Sequence, residues 1–270
     1  MTLKKDPSRR WVELDLELPG TPEDVWHAMA TGPGYAAWFM PADIEPREGG
    51  AIAFHFAPGV TSSGRVTAWQ PPARFAFEEP GWSGDAPPLA TEILIEARAG
   101  GTCAVRLVTS LFTSKDDWDD ELEGMERGWR GFFHLLRLYL ATCPGAHAAS
   151  GGASVALEGS PGERWSTLRE ALGLSTVAVG DACDTSAHGA PRLAGIVEEL
   201  DAQEGSHALV LRVEQPCPGA AELGVYESRR GTRAVLTLKF YGADADRCMA
   251  EEDPRWDAWL KQLFGTGVAA

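Results

Sequence analysis

The chain has 270 residues, 44% of them apolar, and a formal net charge of -15, enough length and apolar content for two separately cored domains. The acidic balance excludes nucleic acid and anionic membrane as expected partners, because both attract cationic surfaces, and no apolar run is long enough to span a bilayer. The five cysteines are scattered and never spaced as Cys-x-x-Cys, so neither a disulfide framework nor a zinc site is expected and the thiols read as small apolar residues.

Residues 11–18 alternate Val12, Leu14, Leu16 and Leu18 with Glu13, Asp15 and Glu17, the pattern of a strand with one buried face. A helix start follows, with Thr21 as N-cap, Pro22 in the first turn and Asp24 placed to reach back as in a capping box. Val25, Trp26 and Met29 form its apolar face, Gly32-Pro33-Gly34 reads as its end, and Tyr35, Trp38 and Phe39 form an aromatic cluster beyond it. Strand-like segments follow: one around Ile52, Phe54 and Phe56, then 64–69, 74–79, 91–98 and 103–112, separated by turn residues as in an antiparallel meander. From Leu122 to Leu140 the apolar spacing changes to three and four residues, which predicts an amphipathic helix of about 20 residues. Pro144 and Gly145 end it, and the Ala, Gly and Ser of 145–153 read as a linker. A long helix must bury its apolar stripe, and a curved sheet gripping it is the simplest partner.

The second half restates this order. Ser160-Pro161-Gly162-Glu163 with Trp165 repeats Thr21-Pro22-Glu23-Asp24 with Trp26; Gly195-Ile196-Val197 repeats Gly64-Arg65-Val66; Gly231-Thr232 repeats Gly101-Thr102; Trp259 and Leu263 fall in line with Trp129 and Phe133. An internal repeat implies a repeated structural unit. The predicted architecture is α+β: two tandem helix-grip domains at 11–144 and 153–267, each a bent antiparallel sheet around a long C-terminal helix. The second is a shortened copy without the aromatic cluster, its last helix running from about Pro254 to Phe264, and it is expected to be filled by its own side chains.

The first half resembles the SRPBCC or START-like superfamily, in its branch of Hsp90 ATPase activator homologues. The resemblance covers 11 to about 142 and rests on Pro22, Val25, Trp26, Trp38, Gly49-Gly50, Gly64-Arg65-Val66, Pro72, Phe75, Phe77, Gly101-Thr102 and Gly128-Trp129. It implies a START/Bet v 1-like helix-grip fold with a cavity between sheet and long helix. Members of the superfamily bind lipids, sterols, polyketides or plant hormones, and some act as cyclases. A histidine often precedes the end of the last strand in this branch; here the segment is Thr109-Ser110-Leu111-Phe112, which removes one acid–base candidate.

The sequence has no nucleophile elbow, phosphate loop or dinucleotide fingerprint, and no cofactor or metal is expected. His27, His55, His134, His147, His188 and His207 are isolated. The stronger signal is aromatic, since apolar pockets with a few polar handles are the usual form of small-molecule sites. The candidate ligand-binding residues are Trp38, Phe54, Phe56, Phe77, Trp82, Arg106, Phe112, Trp118, Trp129 and Phe133. Trp38, Trp82 and Trp118 lie in loop-like stretches and read as rings near an entrance. Arg106 becomes a polar handle if its face of the strand points inward, and His55 and Glu79 pose the same question. The expected function is non-catalytic binding of a small hydrophobic or aromatic molecule in the first domain. The alternatives are a co-chaperone or protein-interaction module, with a chaperone or other protein as partner, and a cyclase or dehydratase drawing on His55, Glu79 and Arg106. The polar N-terminal segment lacks the apolar stretch of a secretory signal, so a cytoplasmic location is expected.

Overall fold

A capping box opens the first helix of the computed structural model, which describes residues 3–265 apart from 58, 83, 204, 229 and 230. Thr21 Oγ1 accepts from the Asp24 amide at 3.2 Å, and Asp24 Oδ2 accepts from the Thr21 amide at 2.9 Å, so two otherwise orphaned donors are paired. Thr21→Ala should therefore cost about 1 kcal/mol, read as a lower midpoint in urea unfolding.

The chain divides into two units, Met1–Gly145 and Ala146–Ala270. In chain order the first contains β1 (Lys4–Lys5), β2 (Arg10–Pro19), α1 (Pro22–Ala30), α2 (Gly32–Trp38), β3 (Ala42–Ile44), β4 (Ala51–Ala57), β5 (Val60–Gln70), β6 (Arg74–Glu79), β7 (Leu89–Arg98), β8 (Thr102–Leu111) and α3 (Asp119–Thr142). Its eight strands form one sheet in the order β1-β2-β8-β7-β6-β5-β4-β3, every pairing antiparallel. The helix α3 packs against β2, α1 and α2 and buries Leu122, Phe133, Leu135, Leu136, Tyr139 and Leu140.

The second unit contains β9 (Ala148–Leu157), α4 (Pro161–Ala171), β10 (Ala182–Asp184), β11 (Ala194–Gln203), β12 (Ser206–Gln215), β13 (Gly219–Ser228), β14 (Gly231–Tyr241) and α5 (Ala245–Phe264). Its sheet runs β10-β11-β12-β13-β14-β9, again antiparallel throughout. This is the first sheet's order without its two outermost strands, so the tandem helix-grip reading holds. The repeated glycines serve one purpose. A Cβ on Gly64 would lie 2.1 Å from the Glu78 carbonyl oxygen, and one on Gly195 would lie 2.0 Å from that of Arg212. In each unit the backbone of the next strand comes too close for any side chain.

The structure corrects four expectations. Gly32-Pro33-Gly34 does not stop a helix but starts α2: Thr31 Oγ1 accepts from the Gly34 amide at 3.1 Å, and proline suits a first turn. Gly34 is needed because an added Cβ would sit 1.9 Å from the His27 carbonyl oxygen. Most of the predicted linker is strand β9. Its residues are small because α5 lies on them: a Cβ on Gly151 would meet Asp253 and Met249 side chains at 2.4 Å. The helix α5 begins nine residues before Pro254 and carries that proline inside it. Finally, Cys217 and Cys248 form a disulfide across a sequence separation of 31. It ties the β12–β13 turn to the first turn of α5.

Candidate functional site on the inner wall of the first unit

Strand register arranges the buried face of the first sheet in rows. Toward one end lie Phe75, Ile93, Leu107 and Leu14, and beside them Ile95, Val105 and Leu16. Toward the other end the rows turn polar. One runs Phe77, Thr91, Thr109, Val12; the next runs Glu79, Leu89, Leu111, Arg10. Thr91, Thr109, Glu79 and Arg10 are all buried, although polar groups are rare on a core face unless paired.

The first turn of α3 covers the Arg10 end. Arg10 Nη1 donates to both Asp119 oxygens, at 2.9 and 2.6 Å, and Nη2 donates to the Ser114 carbonyl at 3.2 Å. An aspartate at a helix N-terminus is also favoured by the helix dipole. Leu122 of α3 joins Val12, Leu89 and Leu111 in a small apolar cluster, against which Leu3, Trp82 and Trp118 pack. At the middle of the wall the Thr109 hydroxyl is buried without a hydrogen-bond partner among the described residues.

At the opposite end Glu79 keeps 8% of its exposure and accepts a hydrogen bond from Ser62 Oγ. Burial pushes its carboxyl above the usual carboxylate range, and the Ser62 hydroxyl opposes this in part. Ser62 faces Phe54 across the β4–β5 ladder. The Phe54 ring lies 5.0 Å from Tyr35 and 5.5 Å from Phe77. The Tyr35 hydroxyl is held above its ordinary pKa by burial and, secondarily, by the Glu79 charge.

Residues 19–141, which include every strand of this wall except nearly all of β2, match the family model described as "Activator of Hsp90 ATPase homolog 1-like protein". The segment is thus similar to the AHSA1-like branch of the SRPBCC superfamily. Solved structures similar to the chain include CalU16 from Micromonospora echinospora, at 18% identity and TM-score 0.42, covering 52% of this chain and 83% of that one. MLL2253 from Mesorhizobium loti matches at 21% identity and TM-score 0.45, covering 50% of this chain and 98% of that one. DynU16, from the dynemicin biosynthetic locus, matches at 15% identity and TM-score 0.44, covering 97% of this chain and 98% of that one. No curated protein matches the sequence.

Within the first unit the predicted residues separate. Trp38 is no entrance ring: it ends α2, is 1% exposed, and donates from Nε1 to the Ala28 carbonyl at 2.9 Å. Phe54, Phe77, Trp129 and Phe133 do converge inside the unit. Phe39 stacks on Trp129 at 4.7 Å, and Trp38 on Phe133 at 5.8 Å, so these rings fill much of the space between them. Phe56 is 45% exposed and Phe112 60%; Phe112 lies under the Arg9 guanidinium, 5.7 Å away, and not on the buried wall. Trp82 and Trp118 pair edge to face at 5.7 Å beside the Arg10 end.

Arg106 is corrected outright. Its parity places it on the outer face, where it pairs with Asp15 at 3.0 Å and Glu13 at 3.1 Å. His55 is exposed as well, 2.9 Å from Asp43. Of the three candidate acid–base groups only Glu79 is on the buried wall. Sequence reasoning missed Arg10, Tyr35, Ser62, Thr91 and Thr109. For Thr109 the signal was present: it shares parity with Val105, Leu107 and Leu111, and a hydroxyl in that series marks a polar point on an apolar face. Among the described residues, no group of three or more potential metal ligands forms, and no helix is long and apolar enough to cross a membrane.

Proposed function

We propose that the AHSA1-like domain, residues 11–144, binds a small hydrophobic or aromatic molecule on the inner wall beneath the first turns of α3, without catalysis. The observation that carries this reading is the unpaired Thr109 hydroxyl, buried in a polar row on an otherwise apolar face. A buried polar atom with no protein partner fits one that is satisfied by a ligand or by water. Binding rather than acid–base chemistry is supported by the dispersal of the candidate groups: Glu79 is inside, while His55 and Arg106 are outside.

A thermal-shift panel of lipids, polyketides and simple aromatics tests the reading, with hits followed by titration against Thr109→Val. Valine keeps the shape and removes an unpaired hydroxyl, so the free protein should melt at the same temperature or slightly higher. Ligand affinity should fall about fivefold to tenfold. A panel in which no class of compound raises the melting temperature would remove the reading.

A further inference from the structure

The Glu79 carboxyl lacks a counter-charge. Ser62 Oγ is its one hydrogen-bond partner, and no Lys, Arg or His pairs with it among the described residues. By contrast the acid at the Arg10 end of the wall, Asp119, is held by a guanidinium through two contacts. A carboxylate taken out of water without a cation is expensive, so this position favours a partner that brings positive charge. The surroundings of Glu79 point the same way. Phe77 lies two residues back on the same strand face. Phe54 stands across the ladder from Ser62, and Tyr35 packs edge-on against Phe54 at 5.0 Å. Aromatic rings attract a cation through their electron-rich faces, and more strongly where water is excluded. Phe56, two residues beyond Phe54 on β4, is 45% exposed, and Glu79 keeps 8% of its exposure.

We propose that the ligand of this wall is an apolar organic cation, its ammonium group received by Glu79 together with the rings of Tyr35, Phe54 and Phe77. This rests on the binding reading above and names the ligand's chemical class. The Thr109 hydroxyl is then free to meet a polar atom elsewhere on the same molecule.

Phenyltrimethylammonium and its neutral isostere tert-butylbenzene, titrated separately into the full chain by calorimetry, test it. The cation should bind at least tenfold more tightly, and Glu79→Gln, which keeps a hydrogen bond to Ser62, should lose at least tenfold for the cation and little for the isostere. In the unsubstituted protein, affinity for the cation should also rise with pH as the carboxyl ionises, while affinity for the isostere stays level; this arm holds even if the variant folds poorly. Equal or tighter binding of tert-butylbenzene overturns the cation assignment and leaves the hydrophobic site standing. Binding of neither overturns both.

Discussion

Trp38→Ala should cost the first unit about 3–5 kcal/mol, the range for truncating a fully buried tryptophan, and shift its urea midpoint by an amount large enough to leave it partly unfolded at rest. The size follows from what the indole does. Its ring meets Tyr35, Phe39, Trp129 and Phe133 with centroids 5.5–6.1 Å away, joining α2 to α3. Its Nε1 donates to the carbonyl of Ala28, in the last turn of α1, where helix carbonyls have no partner within the helix. Trp38→Phe separates the two roles. It keeps most of the packing but leaves that carbonyl unpaired, and should cost less, about 1–3 kcal/mol. Had Trp38 been an entrance ring, both variants would lower ligand affinity and leave stability alone. Intact stability in Trp38→Ala would therefore refute its placement as the linchpin between α1, α2 and α3.

This prediction also shows where the sequence was readable. Alternation in residues 11–18 marks β2, and the same period across Phe75, Phe77 and Glu79 marks β6, because a half-buried strand imposes a period of two. The capping box at Thr21 and Asp24 is legible for an equally local reason: its donors and acceptors lie within one turn. The failures are all tertiary. Gly34 looks like a breaker, yet it is glycine because α1 passes within 1.9 Å of where a Cβ would be. The small residues of 148–153 look like a linker, yet they are small to admit α5. Pro254 looks like a helix start, but the preceding residues 245–253 already bury Ala245, Cys248, Met249 and Glu252. In the candidate site, the strand parity of Glu79 with Phe75 and Phe77 places it inside, and that of Arg106 against Val105 and Leu107 places it outside. What parity could not supply was the row across strands. Glu79, Leu89, Leu111 and Arg10 are far apart in the chain and become one row only through the register of four strands.

The second large effect lies in the other unit. Lys239 on β14 and Glu222 on β13 are diagonal neighbours on the sheet face opposite Leu238, Phe240, Ala221 and Leu223. Both are buried. Lys239 Nζ donates to Ser150 Oγ at 2.9 Å, and the Tyr226 hydroxyl donates to Glu222 at 2.7 Å. Desolvation lowers the Lys239 ammonium to about 7 from 10.5, with Glu222 opposing the fall; burial raises the Glu222 carboxyl, with Tyr226 and Lys239 opposing. The sign for Lys239 is then fixed. Between pH 7 and 10.5 the unfolded chain binds a proton at this lysine that the folded chain does not, so stability rises with pH across that window. The full difference is worth about 4–5 kcal/mol. Its lower part is the clean part to measure, because above pH 9 the half-buried thiol of Cys183 in the same unit, raised by desolvation, begins to pull the other way. Urea unfolding from pH 7 to 9 should show the second unit gaining stability, and Lys239→Met should flatten that rise and match or exceed the parent at pH 7. Glu222→Gln removes the charge that supports the ammonium, so the rise should begin at lower pH. A level profile in the parent protein over this range would mean that Lys239 stays protonated in the fold, held by stronger anionic contacts than Glu222 alone provides.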